Sequence, residues 1–116
     1  MQGLIIKEIY LKRFFESGKT AEVRSSNTSK RGLIFLCCSK KQEIWGQADL
    51  FDVLKVSKSD YSKFENLHKS TDFSGYEVNF LWCLRNIKRY KNPIKYSHKK
   101  GCVIWINLEE FKNLVE

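Results

Sequence analysis

Lys19, Thr20, Glu22 and Arg24 set an ammonium, a hydroxyl, a carboxylate and a guanidinium on one short stretch of chain, Ser-Gly-Lys-Thr-Ala-Glu-Val-Arg from Ser17 to Arg24. In an extended segment side chains alternate, so Glu22 and Arg24 project to the same face, and Lys19 in the preceding turn can reach it. Such a cluster can hold an anion, position a water molecule, or neutralise itself as a solvated group of ion pairs worth little. Lys7 before it and Arg31 after it add cations on either side. Trp82, Tyr96 and Trp105 are aromatic faces on which a base could stack, although Trp82 and Trp105 stand in apolar runs and fit a packed core equally well.

The elements that must position these groups follow from periodicity. Gly3–Lys7 is short, apolar and β-prone, and reads as a first strand. From Glu8 the period changes, and Tyr10, Leu11, Phe14 and Phe15 form one stripe of a helix that Gly18 can cap. The cluster therefore sits at the helix exit and the start of the next strand. Ser25–Lys30 has turn composition, whereas Leu33–Cys38 is continuously apolar and suits a strand buried on both faces. Residues 44–53 read as a longer strand in which Gly46 permits a bulge or a close approach. Ser57 and Asp60 have capping-box spacing before a helix carrying Tyr61, Phe64 and His68. His68 reads as the end of that helix rather than as a ligand. Polar residues 69–75 form a loop. Tyr76–Leu84 alternates most clearly of all, and Arg85–Lys91 reads as a basic linker leading to Pro93. A second basic loop spans 96–101, Cys102–Leu108 is a last strand, and Glu109–Glu116 provides one or two helical turns. Five or six short strands with two to three helices predict a single α+β domain, 1–116, built on a small curled sheet or barrel.

Composition narrows the partners. The chain has 116 residues, 42% hydrophobic and 29% charged, with 21 Lys and Arg against 13 Asp and Glu, a net charge of +8. That excess favours nucleic acid first and an anionic membrane surface second, and an aromatic content of 14% suits a surface that stacks bases. No window approaches the length of a membrane span, and the early apolar run Leu4–Ile6 is broken by Lys7 and Glu8, so neither a membrane anchor nor a secretory signal is expected. Cys37, Cys38, Cys83 and Cys102 lack Cys-x-x-Cys spacing and read as reduced, buried thiols of a cytoplasmic protein. No glycine-rich phosphate loop and no His-x-x-x-His pair is present, so no cofactor and no metal is expected.

In this order the residues resemble the ASCH domain, whose pattern is Gly-x-Lys-x-x-Glu-x-Arg after the first helix. The resemblance is carried by Gly3-Leu4-Ile5-Ile6-Lys7-Glu8, by Lys19-Thr20-Ala21-Glu22-Val23-Arg24-Ser25 and by Arg31-Gly32 leading a strand. Gly46, Phe80–Leu84, Pro93–Tyr96, His98, Gly101 and Val103-Ile104-Trp105 extend it over nearly the whole chain. The chain departs from the pattern at Ser17, which takes the glycine's place, and at Ile9, where a proline often follows Lys-Glu. The resemblance implies a PUA-like mixed β-barrel with flanking helices and a cleft facing RNA or another nucleic acid. Some relatives are hydrolases of acylated nucleosides or RNA; in those resembling amidohydrolases a threonine, the candidate nucleophile, stands where this chain has Glu22.

Three functions are consistent with these features. The first is binding of RNA or a modified nucleotide through a basic cleft drawn from Lys7, Lys19, Thr20, Glu22, Arg24, Arg31, Trp82, Tyr96 and His98. The second is hydrolysis, with Lys19 and Glu22 in the chemistry and Arg24 or Arg31 stabilising an oxyanion. The third is a protein-interaction module, which requires an exposed apolar patch. On electrostatics, Glu22 is better placed to orient Lys19 or Arg24 than to act as a base, since neighbouring cations favour its anion.

Overall fold

Alternating side chains and one amphipathic helix assemble here into a mixed sheet wrapped around that helix. The computed structural model describes residues 1–70, 75–98 and 101–116. The order is β1 (Gln2–Ile6), α1 (Glu8–Glu16), β2 (Ala21–Arg24), β3 (Gly32–Cys38), β4 (Glu43–Ser57), a 3-10 segment (Lys58–Phe64), α2 (Glu65–His68), β5 (Val78–Lys95), β6 (Trp105–Asn107) and a closing 3-10 segment (Glu109–Leu114). The six strands lie in the order β2-β5-β4-β3-β1-β6. Only β1 and β3 run parallel; the other neighbours are antiparallel.

From Ile34 onward the apolar run of β3 is buried on both faces because it has a core on each side, while Leu33 at its start is exposed. Ile34, Leu36 and Cys38 join Leu4, Ile6, Leu11 and Phe14 under α1. Phe35 and Cys37 turn the other way and pack with Ile5, Ile44 and Ile106 beneath Phe111, Leu114 and Val115 of the C-terminal segment. A smaller cluster, Ala21, Val56, Leu81 and Cys83, is covered by Phe64 and Leu67.

Several expectations change. The anticipated barrel is not closed: among the described residues no backbone pairing joins the edge strands β2 and β6. The stretch expected to be a basic linker is strand, because Arg85, Lys88 and Arg89 pair with Asp49, Gln47 and Gly46 of β4. Asn86, at φ 53°, lies where the β4–β5 register shifts and where the sequence alternation breaks. Ser57 begins a 3-10 turn without a side-chain cap bond, so the capping box is not formed. The last strand contracts to Trp105–Asn107 and the final helix is 3-10. Parts of the loops at 69–75 and 96–101 lie outside the described residues. Gly18 takes φ 74° directly after α1, the left-handed conformation that lets the chain reverse into β2. Gly46 is required by proximity: a Cβ there would lie 2.2 Å from the Lys88 carbonyl oxygen.

Candidate nucleotide-binding cleft

The reversal at Gly18 brings Lys19 back over the helix it has just left. Its amide donates to the Arg13 carbonyl. Its ammonium lies 5.1 Å from the Tyr10 ring centre and 5.2 Å from that of Phe14. Strand alternation in β2 then turns Glu22 and Arg24 to the same side. Lys19 Nζ stands 3.3 Å from Glu22 Oε1, and Arg24 Nη2 donates to Glu22 Oε2 at 2.8 Å. Both carboxylate oxygens are thus held by cations. Lys19 and Glu22 are only 2% and 5% exposed. Burial holds the Lys19 ammonium below its ordinary pKa, and the attraction of Glu22 opposes that shift.

Arg24 reaches further. Its Nη2 also donates to the Ile5 carbonyl at 2.8 Å, and its guanidinium lies 5.6 Å from the Trp82 ring centre. Ile5 N bonds to the Ile104 carbonyl on the β6 side, so Arg24 meets β1 just beyond the end of that short strand. The gap between β2 and β1 is therefore bridged by a side chain instead of a backbone ladder.

A cleft of about 440 Å³ opens over this cluster, lined by Ile5, Lys7, Tyr10, Lys19, Glu22, Val23, Arg24, Ser39, Tyr61, Ser70, Tyr76 and Val103. Lys7, exposed at the N-cap of α1, adds a cation with no ion pair among the described residues. One wall is fixed from behind: the Tyr61 ring stacks on fully buried His68 at 4.1 Å. His68 Nδ1 accepts from the Ser70 amide, so Nε2 carries the proton and donates to the Tyr61 carbonyl at 2.9 Å. His68, the last residue of α2, thereby braces the wall as a neutral ring.

The sequence candidates divide accordingly. Lys7, Lys19, Glu22 and Arg24 come together at the cleft. Thr20 is used by its backbone: its amide donates to Leu67 and its carbonyl accepts from Leu84, extending the β2–β5 pairing. Arg31 is exposed and donates to the Thr28 and Lys30 carbonyls of its own loop. Trp82 is buried, bonded through Nε1 to the Ser26 carbonyl and stacked on Trp105. Tyr96 belongs to the second core, its hydroxyl 2.8 Å from His98 Nε2, while the His98 amide donates to Gln42. Thr20, Arg31, Trp82, Tyr96 and His98 do not line the cleft. The aromatic lining comes instead from Tyr10, Tyr61 and Tyr76. Tyr10 and Tyr61 had shown only as core-type positions at helical spacing, and Tyr76 as one step of a strand.

A mixed sheet with a helix across it and a cationic cleft at its open side defines the class: an α+β protein with the ASCH fold. No protein-family model matches the chain, and no curated protein matches it. Solved structures do. The crystal structure of ASCH from Zymomonas mobilis superposes with a TM-score of 0.77 at 16% identity, over 97% of this chain and 92% of that one. Two single-residue variants of the same Zymomonas mobilis protein give TM-scores of 0.76 at 15% and 16% identity, again over 97% of this chain. At that identity the likeness establishes the fold. No helix among the described residues is long and apolar enough to cross a membrane.

Proposed function

We propose that the chain binds RNA or a modified nucleotide, accepting one unstacked nucleotide in the cleft. The observation that carries this reading is the Lys19–Glu22–Arg24 set, its first two members buried, at an open cleft of about 440 Å³, within the range of roughly 300–1,000 Å³ that small-ligand sites occupy. Lys7, Lys19 and Arg24 outnumber the single carboxylate there, so a bound anion completes the charge balance. Glu22 fixes buried Lys19 and partly buried Arg24 before the ligand arrives, so little ordering cost falls on binding. Tyr10, Tyr61 and Tyr76 supply apolar surface for a base. Titration with cytidine monophosphate, followed by calorimetry or chemical shifts, tests this. Lys19→Met, which keeps the aliphatic stem against Tyr10 and Phe14, weakens binding at least tenfold. Equal affinity in the variant would refute the reading.

One observation favours hydrolysis as a second reading: the lowered pKa of Lys19 suits a proton donor and acceptor at a reacting centre. Glu22, with both oxygens engaged, would orient that ammonium. Turnover of an acylated cytidine or an RNA oligomer, abolished in both Lys19→Met and Glu22→Gln, is the expected result. A residual rate shared by wild type and both variants eliminates it.

A further inference from the structure

The excess positive charge of this protein is not spread over its surface. From residue 78 to residue 108 the sequence holds seven Lys and Arg and no Asp or Glu; the other fourteen basic residues of the total of 21 face all 13 acidic ones, leaving +1 of the net +8. The structure places the described part of that run on the second half of β5. Arg85, Lys88, Arg89, Lys91 and Lys95 are all exposed. β2 pairs with β5 only over Phe80–Cys83, so beyond Leu84 no strand covers the outer edge of β5 among the described residues.

Edge strands carry lysines to discourage pairing with other chains, and one or two suffice for that. Here three lysines and two arginines stand in one strand, and their counter-charges are few. Arg89 has a single long ion pair, 3.6 Å to exposed Glu16. Lys95 donates to the Lys41 carbonyl, which leaves its charge uncompensated. Lys88 and Lys91 have no ion pair among the described residues. Beside them a second hollow of about 400 Å³ is lined by Trp45, Arg89, Tyr90, Lys91 and Pro93. Arg89 lies over the Trp45 ring at 5.5 Å and the Phe15 ring at 5.2 Å. Exposed cations along one strand, beside a hollow lined in part by Trp45 and Tyr90, match a chain of phosphates that carries free bases.

We propose that the outer half of β5 is a second nucleic-acid contact, separate from the cleft, that tracks the sugar-phosphate backbone of a single strand. Arg85 to Lys95 lies opposite Asp49 to Glu43 of β4, a span of roughly 20 Å at strand rise, too long for one mononucleotide and suited to a few consecutive phosphates. The two sites share no lining residue: the cleft takes Lys7, Tyr10, Lys19 and Arg24, and the hollow beside β5 takes Trp45, Arg89 and Lys91. The proposal stands whether or not the cleft accepts a nucleotide.

The test uses the full chain, a fluorescein-labelled ten-residue oligouridylate and unlabelled cytidine monophosphate, across a salt series. Wild type binds the oligomer with affinity that falls steeply with salt. The triple variant Lys88→Gln, Lys91→Gln, Lys95→Gln binds it at least tenfold more weakly, with a log–log salt slope shallower by about 2, since each phosphate contact on a single strand contributes about 0.7. Replacing the same three residues by Arg preserves binding. An unchanged affinity and slope in the Gln variant overturns the proposal. So does a wild type that ignores the oligomer, including one that binds phosphatidylserine vesicles instead. Cytidine monophosphate separates the sites: Lys19→Met affects it and the β5 variant does not.

Discussion

At the residue scale, the three ionic groups of β2 and its entering turn are not equivalent. Glu22 is the shared counter-ion of two cations, so Glu22→Gln leaves the Lys19 ammonium and the Arg24 guanidinium confronting one another with no anion between them. Breaking a buried pair in this way costs roughly 3–5 kcal/mol. Lys19→Met leaves the Glu22–Arg24 pair intact and costs far less. Urea denaturation of the two variants checks the asymmetry; equal losses would mean that Lys19 and Glu22 form a simple pair. The pH dependence of Lys19 has a definite sign. Its folded pKa lies below the ordinary 10.5, so the folded state binds fewer protons between those values. Stability from this group is therefore complete above pH 10.5 and lost as pH falls through the folded pKa. Relative to Lys19→Met, wild type gains stability on the alkaline side. This part of the site was legible from sequence because strand alternation is a local rule, and it placed Glu22 and Arg24 together. The tyrosines were not legible: Tyr10 and Tyr61 obey the same helical spacing as buried neighbours, and only tertiary packing shows which ring faces the cleft.

At the scale of elements, the contact between β4 and β5 depends on the missing side chain at Gly46. Adding a methyl 2.2 Å from the Lys88 carbonyl oxygen forces the two strands apart, because that atom is backbone and cannot swing aside. Gly46→Ala is expected to destabilise the fold by roughly 1–3 kcal/mol, read as a lower urea midpoint with an unchanged slope. A variant as stable as wild type would show that the bulge absorbs the methyl. The close approach at Gly46 could be anticipated, since glycine within a strand marks such sites. The continuation of β5 could not. Its charges fall at exposed positions, and Asn86 breaks the alternation, so Arg85–Lys91 has the pattern of a linker while its backbone pairs with β4. The same blindness to partners made an open sheet look like a barrel, since closure depends on whether the edge strands meet.

At the scale of the whole molecule, buried acids that cannot ionise make the fold alkali-sensitive. Burial pushes the Cys37 thiol from 9.0 to about 12 and the Tyr90 hydroxyl from 10.0 to about 12, and Tyr96 is raised as well. Unfolded, these groups release protons from pH 9 upward; folded, they keep them. Stability is thus intact below pH 9 and declines between pH 9 and about 12. Denaturation midpoints measured from pH 7 to 11 should fall along that range, and less steeply in Cys37→Ala. A flat profile would place these groups in contact with water. The gap between the second and first strands has its own effect on motion. A guest that draws the Arg24 guanidinium inward takes it from the Ile5 carbonyl, so occupancy and lacing of the sheet compete for one side chain. Filling the hollow would then free the opening strand, and the amides of Gln2–Ile6 would exchange with deuterium faster in the loaded protein than in the empty one.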